Sequence, residues 1–346
     1  MHTFLLLTFH VINPLRGFGI VSRDNKPQEF PIKWDVFVTP GIPIVTNNPP
    51  PGIKETFWSP TSSTLISGKR DAVLVDVPTT FQQGATLANW VADSGKRLTT
   101  VYITHGHGDH FFGTSAFLAR FPNVNVVAVP AVVKAMQQQV SPEVVNFWRS
   151  MFPGQIPDRL VIAEELDGDT IDLEGHDLTA VELGHSDKDD TTCLHVPSIG
   201  LVVAGDAVYN DVHLYLAESD PRRRREWISA LDKIESLKPR AVIAGHKRPG
   251  TDNGPETIEE TRQYIRDFDT LAGRTSTPRD LYDEMLKLYP ERLNRFILWS
   301  SASLALWTAT NTRAVTNAKT AQSQAIRKPF FLWRGSISFA GAFICP

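Results

Sequence analysis

Cysteine is nearly missing from this chain: Cys193 and Cys345 are the only two. Two cysteines cannot build a disulfide framework, and a reduced, cytoplasmic setting is the expectation. Charge of one sign is also lacking. A net charge of −3 argues against the broad basic surface that a nucleic-acid partner requires. No apolar run reaches the length of a membrane span, so no membrane partner is expected. The apolar start, Phe4-Leu5-Leu6-Leu7, has neither a cationic flank nor a clear small-residue cleavage site, which argues against a secretory signal. A Gly-x-Ser-x-Gly elbow is missing too, and with it the signature of one large class of serine hydrolases.

What is present is a chain of 346 residues, 42% of them hydrophobic, enough for a large core. Residues 1–30 read as irregular, and 40–53 as a proline- and asparagine-rich surface loop. Strand patterns follow at Ser63–Ile66, Ala72–Val77, Leu98–Ile103 and Val124–Val129, with helices at Thr80–Ser94 and Phe112–Phe121. Residues Ala131–Met151 read as helical with a break near Pro142. The second half gives strands at Thr170–Leu173, Leu178–Glu182, Thr191–Val196, Gly200–Ala204 and Ala241–Ala244, and a helix at Pro221–Leu237. Helices at Glu256–Leu271 and Asp280–Leu304 close the pattern. Strands alternating with helices predict an α/β architecture of packed layers. The expected division is an irregular segment 1–30, a catalytic domain 31–275, a helical extension 276–327 and a tail 328–346.

One cluster carries the chemistry. The chain reads Thr-His-Gly-His-Gly-Asp-His at 104–110, directly after a predicted strand. Glycines between the ligand-type residues let backbone and metal approach closely. His105 and His107 can turn to one side, whereas the adjacent Asp109 and His110 point elsewhere, so one loop can serve two ions about 3.5–4 Å apart. Gly184-His185, Gly205-Asp206 and Gly245-His246 each follow a predicted strand, and strand ends converge on one edge of a sheet. Imidazole and carboxylate donors without thiolate suit zinc. The alternative, a histidine-rich surface loop that binds nothing, leaves the three later residues unexplained.

This set resembles the signature of the metallo-β-lactamase-fold hydrolases, His-x-His-x-Asp-His followed by separate His, Asp and His. The resemblance covers about residues 35–270. It implies a four-layer αβ/βα sandwich and two zinc ions per chain. His105, His107 and His185 would hold the first, Asp109, His110 and His246 the second, and Asp206 would bridge them. It further implies hydrolysis of an acyl bond by a hydroxide shared between the metals, oriented by Asp109. His107 stands where the di-iron redox branch carries glutamate, which favours hydrolysis. The segment Gly184–Thr192 is similar to a group of microbial and fungal hydrolases of cyclic amides and esters. A lactone or lactam is therefore the expected substrate, with an acyl thioester as the alternative. An inactive metal-binding interaction module is the contrasting class.

Tyr209, three residues after Asp206, resembles the lactonase tyrosine that serves the substrate carbonyl; a packing role beside the site is the competing reading. His176, His195 and His213 lack the Gly-His context and read as polar or core residues. Arg222–Arg225 reads as a solvated helix face. Phe111, Phe112, Phe147, Trp148 and Phe152 flank predicted site loops, and core packing competes there with contact to a small aromatic or acyl group. The closing helices either cover the site or form a homodimer face. The choice of leaving group is expected to lie in loops 40–53, 141–157 and 207–219.

Overall fold

The computed structural model describes residues 31–306; the expectations for the segment 1–30, the tail from Lys328 and Cys345 lie outside the described residues. Two sheets face each other. The first has six strands in the order Lys33–Thr39, Thr61–Ser67, Asp71–Val75, Arg97–Tyr102, Asn125–Ala128 and Glu164–Glu165. The second has five, in the order Ala241–Lys247, Leu201–Asn210, Thr191–Val196, His176–Gly184 and Thr170–Leu173. A small pair, Pro43–Ile44 with Thr56–Phe57, stands beside them.

Period-two alternation sets the layers. Along Leu201–Asn210, Leu201 and Val203 point into one apolar cluster, and Val202 and Ala204 into another. The first cluster joins the two sheets and takes Leu87, Val91, Val132 and Met136 from the helices Phe81–Asp93 and Pro130–Gln139. The second seats Trp227, Leu231 and Ile234 of Pro221–Ser236 and Tyr264, Ile265 and Phe268 of Glu256–Ala272 against the outer face of the five-stranded sheet. Helix, sheet, sheet, helix is the α/β sandwich that the sequence pattern implies.

Local chemistry fixes the helix starts. Thr80 and Gln83 form a reciprocal capping box at Phe81–Asp93. Asp220 accepts from the Arg223 backbone N–H, and Pro221 occupies the first turn.

Three expectations are corrected. The helix expected over Asp280–Leu304 is two, Pro278–Leu288 and a second over 295–306, because Pro290 disfavours helical backbone at Tyr289. Lys33–Thr39, unassigned from sequence, is a full strand paired antiparallel with Thr61–Ser67. The arginine run is not wholly a solvated face. Arg224 is buried, donates from Nε to Asp269 at 2.5 Å, and also meets the Ser219 carbonyl. With carboxylate, carbonyl and the Phe268 ring around it, that guanidinium is accommodated inside.

Candidate metal centre

The first four histidine and aspartate donors come from the turn after Arg97–Tyr102. Gly108–His110 forms one short helical turn there. Asp76, at the end of the neighbouring parallel strand, ties that turn down. It accepts the Thr104 N–H (2.8 Å), the Thr104 hydroxyl (2.7 Å) and His110 Nδ1 (2.9 Å). A buried carboxylate satisfied by three donors is a rigid anchor.

Asp206 and His246 are not beyond their strands, as the pattern predicts, but inside them, at Leu201–Asn210 and Ala241–Lys247. The parallel register between these strands slips on both sides of Gly205, and that irregularity turns the ligands toward the cluster. Gly205 has φ +52, and a Cβ there would meet Thr104 at 2.6 Å. A Cβ on Gly245 would lie 2.1 Å from Asp206 Oδ1. Both glycines are required by close approach at the centre.

The histidines share one arrangement. His105 Nδ1 meets the Thr104 hydroxyl at 3.0 Å, His110 Nδ1 meets Asp76, and His246 Nδ1 donates to the Pro60 carbonyl at 2.8 Å. His185 Nδ1 meets Asp189 at 2.9 Å. In each ring Nδ1 is occupied, which leaves Nε2 as the donor atom toward a metal. His107 is reversed: its Nε2 meets Glu218 at 3.3 Å, and Nδ1 faces inward.

Three trios of donor atoms lie within metal-ligand spacing: His105, His107 and Asp187; His105, His110 and Asp206; and Asp109, His110 and His246. The structure therefore brings together six of the seven residues named from sequence. His185 lies outside these trios, with Nε2 buried and unpartnered. Asp187 is the newcomer. Its signal is an acidic residue two places after His185, but the Asp-Lys-Asp-Asp run reads as solvated.

Electrostatics tie the cluster together. Burial pushes His105 down to about 4, helped by the charge of His110. Burial acts the same way on His107 and His246, but nearby carboxylates outweigh it and hold both at about 10: Asp187 and Glu218 for the first, Asp206 and Asp109 for the second. Asp206 and Asp109 are held below the usual carboxylate range; burial opposes this and the surrounding imidazoles prevail. Burial first, then the Asp206 charge, raises the Tyr209 phenol. That hydroxyl donates to Asp206 Oδ2 at 2.8 Å.

These donors fit a metal. His105 Nε2, His110 Nε2, His185 Nε2, Asp187 Oδ2 and Asp206 Oδ1 are all buried without a hydrogen-bond partner. All but His185 Nε2 belong to the donor trios, and four orphaned atoms gathered there would be costly unless a cation satisfies them.

The centre opens on a cavity of about 340 Å³. His107, Asp109, Asp187, Asp206, Tyr209 and His246 line it, together with the apolar Trp58, Phe147, Trp148, Met151, Phe296 and Leu304. Trp58 joins the two groups: its Nε1–H donates to Asp109 at 3.0 Å, and its ring meets Trp148 edge-on. Of the aromatics named from sequence, Phe147 and Trp148 reach the cavity, whereas Phe111, Phe112 and Phe152 belong to the core. The sequence pattern does not indicate Trp58 or Phe296. Loop 141–157 is largely the helix Pro142–Met151, and the helix over 295–306 forms the facing wall. Away from the centre, His213 meets the Tyr264 hydroxyl at 2.9 Å and His176 meets Ser198.

The family model described as the metallo-beta-lactamase superfamily matches residues 56–246, which span the whole donor set. No curated protein matches the sequence. Among solved structures, the chain is similar to a metallo-beta-lactamase family protein from Thermus thermophilus, with 19% identity and a TM-score of 0.52 over 77% of this chain and 90% of that one. It is also similar to a metallo-beta-lactamase from Pontibacter korlensis, with 17% identity and a TM-score of 0.49 over 67% of this chain and 99% of that one. At such identities the Thermus protein supports the fold and nothing finer.

Proposed function

The chain belongs to the metallo-β-lactamase superfamily and is a metal-dependent hydrolase, and from that premise we propose that it is a dinuclear zinc enzyme cleaving a small cyclic ester or amide. In this reading His105 and His107 would hold the first ion, whereas His185, expected with them, lies outside the donor trios. Asp109, His110 and His246 would hold the second, and Asp206, grouped with His105 and His110, would add a carboxylate donor. Two zinc ions, when bound, supply Lewis acidity and a water acidified toward about pH 7.

The chain's own groups do the rest. Asp76, Thr104, Pro60 and Glu218 each hold one ring nitrogen, which orients the imidazoles so that the other nitrogen faces the centre. Asp109, held by Trp58, is an acceptor for the proton of a nucleophilic water. Tyr209 stands on the cavity wall with its hydroxyl donating to Asp206, facing a substrate oxygen or leaving group that enters there.

One observation supports the choice of substrate: the donor cluster opens on a 340 Å³ cavity also lined by Trp58, Phe147, Trp148 and Phe296. That volume is near the lower end of ligand pockets, of the order of 300–1,000 Å³, and suits a compact molecule with an apolar or aromatic part. Metal-loaded protein assayed on aryl-substituted γ-lactones, γ-lactams and acyl thioesters tests it. Turnover of the cyclic substrates supports the reading. Turnover of thioesters alone moves the assignment to a thioesterase, and bound metal with no turnover of any member points to an inert binding module.

A further inference from the structure

We propose that Asp187 is a direct carboxylate ligand of the first metal ion, a role that rests on the dinuclear reading above and adds a donor to it. Its side chain is fully buried at the floor of the centre. Oδ1 accepts from the Ser186 hydroxyl at 2.8 Å, and Ser186 is itself anchored on Thr191 at 2.9 Å. The other oxygen, Oδ2, lies 2.7 Å from His107 Nδ1 and 3.6 Å from His105 Nε2.

The competing role is that of an orienting partner for His107, as Asp76 is for His110. The ring's own arrangement favours the ligand role. His107 already has its orienting carboxylate, Glu218, hydrogen-bonded at Nε2. Nδ1 is thus the only nitrogen left to meet a cation, and Asp187 Oδ2 stands on that same side. The approach does not have hydrogen-bond geometry, for Oδ2 remains a buried acceptor without a partner, as do His105 Nε2 and Asp206 Oδ1. Donors that crowd together without bonding one another are converging on a shared point. His105, His107 and Asp187 accordingly form one of the three trios at ligand spacing. A carboxylate there also adds a negative charge, which stabilises two divalent cations sharing one buried site.

The test reads metal, not turnover. Wild-type and Asp187→Asn proteins are stripped with chelator, reloaded with cobalt(II), and examined for metal per chain, affinity by competition with a chromophoric chelator, and visible d–d spectrum. Glu218→Gln serves as the orienting-residue control, Asp187→Ser is read in parallel, and circular dichroism of the stripped proteins checks folding. The expected result is about two ions in the wild type and at least a tenfold weaker first site in both Asp187 variants, with an altered d–d spectrum. Glu218→Gln should keep the wild-type band positions. Two ions with wild-type affinity and spectrum in Asp187→Asn overturn the proposal, as does weaker binding with an unchanged spectrum. If the wild type itself takes up no metal, the dinuclear reading fails first.

Discussion

Asp76 Oδ2 meets His110 Nδ1 at 2.9 Å, and the same carboxylate oxygen accepts the Thr104 hydroxyl. One buried aspartate thus sets the tautomer of His110 directly and, through Thr104, that of His105. Replacing Asp76 with Asn keeps the size but leaves an amide N–H₂ facing donors. Metal affinity should fall about 10- to 100-fold, as for other orienting carboxylates, and competition with a chelator measures it.

Tyr209→Phe separates two roles for one hydroxyl. If the phenol serves a substrate oxygen, kcat/KM falls by roughly tenfold or more while metal content stays at the wild-type level, the size expected for a lost hydrogen bond to developing charge. If its task is to hold Asp206, metal content falls as well. An unchanged kcat/KM with full metal content removes both roles.

Gly245→Ala tests the close approach at the bulged strands. The new Cβ would sit 2.1 Å from Asp206 Oδ1 and 2.7 Å from the Gly205 carbonyl carbon. Backbone must shift to admit it, at a cost of about 1–3 kcal/mol, and Asp206 shifts with it. Thermal unfolding should show a lower Tm, and metal analysis a reduced content.

His213 gives a pH signature independent of the metal centre. Burial, with the Arg292 and Arg295 charges beside it, pushes this imidazole down to about 3 from an ordinary 6.5. Between those values the unfolded chain binds a proton that the folded chain refuses. The group therefore contributes stability above pH 6.5 that is lost as pH falls toward 3, at up to about 1.4 kcal/mol per pH unit. Urea unfolding of His213→Gln, which keeps a polar group near the Tyr264 hydroxyl, should show a correspondingly flatter acid limb than the wild type. Parallel curves would contradict this.

Much of this molecule is readable from its sequence. The strand-loop context of His105, His107, Asp109 and His110 follows from local pattern, and glycines before Asp206 and His246 announce a tight approach. What stays hidden depends on contacts between distant segments. Periodicity does not report the bulge that keeps Asp206 inside its strand. Asp76 looks like one polar residue in an apolar run, and only the fold shows three donors around it. Asp187 reads as part of a charged turn because its histidine neighbours come from a loop about 80 residues earlier. Arg224 reads as solvated for the same reason: Asp269, which makes its burial tolerable, belongs to another helix. The closing helices share one apolar pattern, and Pro290 alone marks the break that lets the second cover the cavity.

In the dinuclear reading these donors hold two metal ions, and hydrolysis requires both. That reading is tested most directly by stripping the protein, measuring turnover of an aryl-substituted γ-lactone, and titrating zinc back while counting metal per chain. The stripped protein should show no turnover, and recovery should saturate at about two zinc ions per chain. Turnover that survives complete removal of metal, or full loading without any turnover, would contradict it.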